Sequence, residues 1–179
     1  CEKFGLPLYI DGARLLCGVT AAGADVTLEN ISSLCDVFYI GGTKAGALCG
    51  EAVVFPKGNA PAHFFTHIKQ QGALLAKGRL LGLQFDALFT DSLYERLAKN
   101  ALKTAEIIRN GFAEKGYELY AQNPTNQIFV IMSDEKIKEL SEKVVFGVWQ
   151  KRHDGCSVVR FVTSFATSAK DAAALIRLI

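Results

Sequence analysis

The chain has 179 residues, of which 50% are hydrophobic and 21% charged, a globular composition that excludes a disordered chain. Lys and Arg total 20 and Asp and Glu total 18, and the net charge of +2 argues against a nucleic-acid or membrane-surface binder. No apolar run approaches the length of a transmembrane helix. The five cysteines lack any CxxC spacing, so we expect buried free thiols in a cytoplasmic protein.

Short apolar runs that end at turn residues predict buried strands in the first half of the chain. The runs span 6–10, 36–40 and 52–55. Thr27 is expected to cap a helix between the first two strands. This strand–helix–strand order predicts a βαβ unit, and therefore an α/β layer built on a mostly parallel sheet.

The second half has the pattern of a smaller α+β unit. A mostly helical stretch is expected over 63–89, and a long amphipathic helix follows it and ends near Gly116. Strands are predicted at 117–120, 127–132 and 158–162, and helices at 133–143 and 168–179. We therefore expect part of a large domain over 1–91, a linking helix over 92–116 and a small C-terminal α+β domain over 117–179.

Asp11 and Lys44 are the first candidates for a functional site. Each follows a predicted buried strand, and they are separated by 33 positions (44 minus 11), about the length of one βαβ unit. Because ligands of open α/β sheets bind outside the carboxyl ends of the strands, we expect these two side chains to share one crevice. The glycines around Lys44 permit close backbone approach.

A carboxylate and a lysine in one crevice can bind pyridoxal phosphate (PLP). The lysine forms a Schiff base with the aldehyde of PLP, and the carboxylate pairs with the pyridine nitrogen. The amine of a lysine also becomes a good nucleophile when it is desolvated. Judged from the spacing alone, a turn aspartate and a solvated surface lysine are the simpler interpretation.

Other polar residues give weaker signals. Arg14 lies on the same predicted crevice edge as Asp11, and Arg160 lies within an apolar strand, where it faces either solvent or a bound anion such as a carboxylate. His63 and His67 share a helix face but have no third ligand, so no metal site is predicted. The absence of GxGxxG and GxxxxGK[ST] motifs gives no support to a nucleotide-binding loop.

Four segments together resemble low-specificity L-threonine aldolase, a fold-type-I PLP-dependent enzyme of the β-eliminating lyase group. They are LPLYIDGARL (6–15), DVFYIGGTKAGALCGEAVVF (36–55), KQQGALLAKGRLLGLQF (69–85) and VVRFVTSFAT (158–167). The resemblance runs through the whole chain in order and corresponds to the C-terminal portion of the family. It implies the end of a PLP-binding large domain, of the fold-type-I transferase-like kind, followed by a small α+β domain.

The resemblance also assigns roles to individual residues. Lys44 matches the lysine that binds the cofactor aldehyde, and Asp11 matches the aspartate that pairs with the pyridine nitrogen. Arg14 matches an arginine near the ring oxygen of the cofactor and the carboxylate of the substrate, and Arg160 matches the small-domain arginine that binds that carboxylate.

The activity that the resemblance implies is a retro-aldol cleavage of L-threonine or L-allo-threonine to glycine and an aldehyde. Lys77 and Arg79 are candidates for a contact with the PLP phosphate. Family members have a further N-terminal portion that supplies the phosphate-binding turn and the residue stacked on the ring. We therefore expect a homo-oligomer (dimer or tetramer), a separate chain that carries the N-terminal half, or both, and neither a nucleic-acid nor a membrane partner.

Two alternatives stay open at this point. The same aspartate and lysine serve another β-eliminating lyase of the tryptophanase type or an aminotransferase, because the bond that breaks depends on how the substrate is oriented. The chain is otherwise an inactive fragment that needs its N-terminal half.

Overall fold

A computed structural model describes residues 1–179, which form two compact units. The first comprises Cys1–Val19 and Ala24–Arg96, and the second comprises Thr20–Gly23 and Leu97–Ile179. The division into 1–91, 92–116 and 117–179 stays a prediction, and the two units are described in turn.

The first unit is built on a three-stranded sheet in the order β1-β2-β3. The strands are β1 (Tyr9–Ile10), β2 (Val37–Gly41) and β3 (Glu51–Val54). Between β1 and β2 the chain forms the helices α1 (Leu15–Val19) and α2 (Leu28–Leu34). The pair β1 and β2 is parallel, as the predicted βαβ unit requires.

The direction of β3 differs from the expected mostly parallel sheet, because β3 runs antiparallel to β2. Parallel neighbours need a crossover of about a dozen residues or more, and only residues 42–50 connect these two strands. The sheet is therefore mixed within this chain, and Glu51 lies opposite Gly41.

The helices of the first unit follow the predicted pattern. Thr27 caps α2, because its hydroxyl accepts a hydrogen bond from the Asn30 backbone at 3.2 Å and the Asn30 side chain accepts one from the Thr27 backbone at 2.9 Å. The mostly helical stretch consists of α3 (Phe64–Gln70) and α4 (Arg79–Phe89), which are separated by residues 71–78.

The second unit packs three helices on an antiparallel sheet in the order β4-β6-β5. Its elements are α5 (Leu93–Glu114), whose first turn belongs to the first unit, β4 (Gln127–Ser133), α6 (Asp134–Ser141), β5 (Gly147–Lys151), β6 (Cys156–Val162) and α7 (Ala169–Leu178). Alternate residues of β4 and one face of α5 form the core, with Ile128, Val130 and Met132 against Ile108 and Phe112.

The end of α5 confirms the prediction for Gly116. Its φ of 79° is favourable for glycine, and it lets the backbone N–H of Tyr117 donate to the carbonyl of Phe112 at 3.0 Å. The predicted strand 117–120 is reduced to a single bridge between Leu119 and Val130. Strand β5 was not predicted because most of its residues are exposed, so no buried apolar run marks it.

The cysteines correct one expectation. All five are free, but only Cys35 is buried, whereas Cys1 and Cys49 are exposed and Cys17 and Cys156 are partly exposed. Small residues near a cysteine in the sequence therefore did not indicate burial here. None of the helices combines the length and the apolar character needed to cross a membrane.

Candidate active site

The carboxyl ends of β1 and β2 place Asp11 beside Tyr39. The parallel register pairs Tyr9 with Val37, so its continuation brings position 11 level with position 39 on the same face of the sheet. The Tyr39 hydroxyl donates to Oδ1 of Asp11 at 2.5 Å, and the backbone N–H of Ala13 donates to the same oxygen at 3.0 Å. The second oxygen, Oδ2, is left to accept a hydrogen bond from a ligand.

The surroundings of Asp11 keep its side chain ionised. Its pKa is lowered chiefly by the hydrogen bond from Tyr39, then by the Ala13 N–H, and further by the positive charges of Lys44 and Arg14. The same hydrogen bond is the main cause that raises the pKa of Tyr39 to about 12, so the phenol remains a proton donor at neutral pH. Asp11 therefore presents a charged acceptor at the exposed sheet edge.

Two glycines allow the turn after β1 to pack backbone against backbone on β2. A Cβ atom added to Gly12 would lie 1.5 Å from the carbonyl oxygen of Tyr39, and one added to Gly41 would lie 2.4 Å from that of Ala13. The N–H of Gly41 donates to the carbonyl of Gly12 at 2.9 Å. This close approach brings Asp11 next to the end of the strand that leads to Lys44.

Lys44 lies in a single 3₁₀ turn, Thr43–Ala45, directly after β2, and its side chain is exposed. Glu51 of β3 contacts this turn with both carboxylate oxygens. Oε2 accepts from the N–H of Gly42 at 2.6 Å, and Oε1 accepts from the hydroxyl of Thr43 at 2.9 Å. The buried Tyr94 hydroxyl donates to the carbonyl of Gly41 at 2.9 Å, which holds the end of β2.

The predicted site residues of the first unit fall into two groups. Asp11, Arg14 and Lys44 come together, since the charges of the latter two act on the Asp11 carboxyl. Lys77 and Arg79 lie in the turn before α4 and at its first position, both exposed, and no contact joins them to the first group. The structure therefore does not test their assignment to a phosphate, which stays a prediction.

Arg160 lies in β6 of the second unit, on the face of the sheet opposite the core residues Val159 and Phe161. Its guanidinium lies over the Trp149 ring at 5.3 Å and donates to the Gln127 side chain at a long 3.4 Å. No carboxylate of the chain pairs with it, so it keeps donors for an anionic ligand.

The residues at the edge of the first sheet fit PLP. Asp11 offers one ionised oxygen without an internal partner, which suits a pyridine nitrogen, and Lys44 offers an exposed amine for an aldehyde. The structure holds no group of three or more His, Cys, Asp or Glu side chains arranged for a metal ion. The carboxylate of Asp11 and the amine of Lys44 are the donor set that a cofactor with a basic ring nitrogen and an aldehyde requires.

Sequence reasoning did not single out Tyr39, Glu51 or Tyr94. Tyr39 could have been found from the parallel pairing of the first two strands, because the side chain next to a turn aspartate lies on the neighbouring strand. Glu51 could have been found from the length of the connection, because the short segment 42–50 predicts a hairpin that returns to the lysine turn. Tyr94 left no local signal, since it lies 53 positions from the carbonyl that it contacts.

Similarity to known proteins extends over most or all of the chain. No protein-family model matches it. A low-specificity L-threonine aldolase of Pseudomonas sp. is 31% identical over 80% of this chain and 42% of its own length. The structure of Leishmania major threonine aldolase is 36% identical with a TM-score of 0.94, covering 99% of this chain and 52% of the other. The resemblance to threonine aldolase is confirmed.

The chain spans about half the length of these relatives. A serine palmitoyltransferase of Sphingomonas wittichii superposes with a TM-score of 0.67 at 12% identity, over 99% of this chain and 47% of the other, which shows the fold alone. The expected fold class is thereby confirmed: the chain has the α/β architecture of the C-terminal part of fold-type-I PLP-dependent enzymes, followed by a small α+β unit.

Proposed function

We propose that this chain corresponds to the C-terminal part of a PLP-dependent aldolase, a carbon–carbon lyase. The proposed reaction cleaves L-threonine, L-allo-threonine or another β-hydroxy-α-amino acid to glycine and an aldehyde. The observation that supports it best is the free Oδ2 of Asp11 within electrostatic reach of Lys44, in a chain 36% identical to a threonine aldolase.

Each candidate residue has a distinct task in this proposal. Oδ2 of Asp11 would accept a hydrogen bond from the ring nitrogen of PLP, and the Lys44 amine would hold its aldehyde. PLP would supply an electron sink for the pair of electrons released when the Cα–Cβ bond breaks. Because Tyr39 and Ala13 keep Asp11 ionised, Asp11 would present a negative charge to a protonated ring nitrogen.

Arg14 and Arg160 are proposed to bind the substrate carboxylate. A guanidinium can contact both carboxylate oxygens, which fixes the rotation of the substrate about its N–Cα bond. That rotation selects the Cα–Cβ bond for cleavage. The β-hydroxyl loses its proton as the aldehyde leaves, and Cα gains one to give glycine. The contact of Arg14 with the cofactor ring oxygen and of Lys77 or Arg79 with the phosphate belongs to the same proposal.

The partners proposed for this chain are a small amino-acid substrate and other protein chains. We propose a homo-oligomer, a dimer or a tetramer, or a complex with a chain that carries the N-terminal half. A cytoplasmic location is proposed as well, and the five free cysteines support it because a reducing compartment keeps thiols free.

Borohydride reduction in the presence of PLP, followed by peptide mass mapping, tests the cofactor site directly. We expect a pyridoxyl adduct on Lys44 that disappears in Lys44→Arg. Lys57→Arg is the matched control, because Lys57 lies in the same unit and pairs with Asp36 at 2.9 Å. An adduct on another lysine of the wild-type chain would refute the assignment.

A different PLP reaction, a β-elimination or an amino transfer, is the second candidate. A lysine aminotransferase from M. tuberculosis shares the fold at 15% identity with a TM-score of 0.56, far below the likeness to threonine aldolase. Product analysis separates the reactions, since the aldolase forms glycine and an aldehyde and a β-eliminating lyase acting on serine forms pyruvate and ammonia. A colourless monomer that ignores added PLP would indicate an inactive fragment.

A further inference from the structure

Glu51 lies next to the turn that contains Lys44 and contacts it through its side chain. It is the first residue of β3, and the antiparallel register puts it opposite Gly41, the last residue of β2. The Glu51 side chain is therefore close enough to the start of the segment 42–45 to contact it. Its position follows from the short connection between the two strands, not from any contact with Lys44 itself.

Both oxygens of the Glu51 carboxylate accept hydrogen bonds from the turn. One accepts the backbone N–H of Gly42 at 2.6 Å, and the other accepts the hydroxyl of Thr43 at 2.9 Å. Hydrogen bonds to an ionised acceptor are shorter and stronger than those between neutral groups. Because both oxygens already have donors and Glu51 forms no ion pair with Lys44, the carboxylate acts on the lysine through the backbone of the turn.

The other hydrogen bonds within the turn come from the backbone, since the N–H groups of Ala45 and Ala47 both donate to the carbonyl of Gly42 at 3.0 Å. The turn is a single 3₁₀ turn of three residues, and no side-chain cap bonds its N-terminus other than Glu51. Gly46 and Gly50 flank it with φ of 110° and 92°, and glycine limits the backbone less than any other residue. Without Glu51, the turn would keep its backbone hydrogen bonds but lose the side-chain contacts to Gly42 and Thr43, the residues that precede Lys44.

We propose that Glu51 is a positioning residue for Lys44. By accepting from Gly42 and Thr43 at once, it holds the turn in the one conformation that presents the Lys44 amine at the sheet edge beside Asp11. The inference rests on the proposed function, because it assumes that Lys44 is the amine that reacts with PLP. The hydrogen-bond geometry on which it depends is a property of the chain without any cofactor.

Two readouts test the proposal with the full chain. Hydrogen exchange of the amides of 42–45 reports on the turn itself, and borohydride trapping with added PLP reports on Lys44. We expect Glu51→Gln to raise the exchange rate of the Gly42 amide about tenfold and to lower the yield of the Lys44 adduct, since an amide side chain can accept with only one atom and has no charge. Thr43→Val should act in the same direction but less, about threefold.

Matched variants make the result specific. Thr43→Ser keeps the hydroxyl and should restore the exchange rate that Thr43→Val raises. Glu114→Gln removes an exposed carboxylate at the end of α5 and should change neither readout. If Glu51→Gln does not fold, Thr43→Val still decides the question, because it removes one donor and leaves the carboxylate in place.

The outcomes separate this proposal from the proposed function. Unchanged exchange at 42–45 in both Glu51→Gln and Thr43→Val, with normal trapping at Lys44, would overturn the positioning role. If the wild-type chain gives no adduct on Lys44, the proposed function fails, and faster exchange in the two variants would still support the restraint of the turn by Glu51. Faster exchange with an undiminished adduct would overturn the claim that this restraint positions the amine.

Discussion

The core of the second unit and the candidate site of the first depend on different interactions. The second unit is held by a contiguous core in which Phe112, Val130 and Val159 are fully buried. The candidate site of the first unit is exposed, and hydrogen bonds to Asp11 and Glu51 together with close glycine contacts define it. Substitutions in the core of the second unit should therefore change the free energy of unfolding, whereas those at the site edge should change ligand binding more than stability.

The largest effect is expected from Phe112→Ala in the second unit. Phe112 has no exposed surface, and its ring lies 5.0 Å from that of Phe161 and 5.4 Å from that of Tyr117. Truncating a fully buried phenylalanine lowers the free energy of unfolding by about 3–5 kcal/mol. Chemical denaturation measures the loss. Phe65→Ala, at a side chain that is 65% exposed, is the control and should change the midpoint little. Equal effects of the two substitutions would contradict the contrast between the units.

Gly12→Ala should have the next largest effect, and it acts at the site edge. The new Cβ would meet the Tyr39 carbonyl at 1.5 Å, so the turn after β1 must move and take Asp11 with it. We expect a loss of about 1–3 kcal/mol in stability and at least a tenfold weaker affinity for PLP, measured by absorbance titration. Gly18→Ala provides the matched control, since its Cβ would meet no atom within 4 Å. Normal PLP binding by Gly12→Ala would show that Asp11 does not depend on this packing.

The same contrast explains what could be predicted from the sequence. Strands such as 127–132 and the helix cap at Thr27 depend on local patterns, and the structure confirms them. Asp11 and Lys44 could be paired because both follow strands. Tyr39 and Glu51 were missed because finding them requires a further step, in which the pairing and direction of neighbouring strands are used to place residues opposite one another. Strand β5 was missed for a related reason, since its pairing with β6 and not its own composition makes it a strand.

Arg160→Leu tests whether the second unit contributes to the reaction as well as to stability. Its guanidinium pairs with no carboxylate of the chain, so its removal should cost little stability. If it binds the substrate carboxylate, losing a charge-assisted contact of about 1.5–3 kcal/mol lowers kcat/KM by roughly 10–100-fold, with KM raised and kcat lowered together. Steady-state kinetics of the holoenzyme measures both. Arg152→Leu removes an arginine paired with Asp154 in the same unit and should leave the kinetics unchanged. Unchanged kinetics in Arg160→Leu would refute the role.

The smallest effect is expected in the pH dependence of stability that comes from the hydrogen bond between Tyr39 and Asp11. The hydrogen bond to Asp11 raises the pKa of Tyr39 to about 12 from an ordinary value near 10. A folded-state pKa above the unfolded value means that this hydrogen bond stabilises the fold fully below about pH 10 and progressively less up to about pH 12.

Asp11→Asn removes the carboxylate and should return the pKa of Tyr39 toward 10, so that one phenol ionises earlier in an alkaline absorbance titration. Burial also raises the pKa of Tyr94, so the wild-type chain has a second late phenol that these variants keep. Tyr9→Phe removes a neighbouring ring 6.4 Å from that of Tyr39 and should leave both late phenols in place, whereas Tyr39→Phe should remove one of them. In Tyr39→Phe the pKa of Asp11 should also rise toward its ordinary value, because the largest cause of its lowering is gone. An unchanged number of late phenols in Asp11→Asn would show that this acid and this tyrosine do not act as one unit.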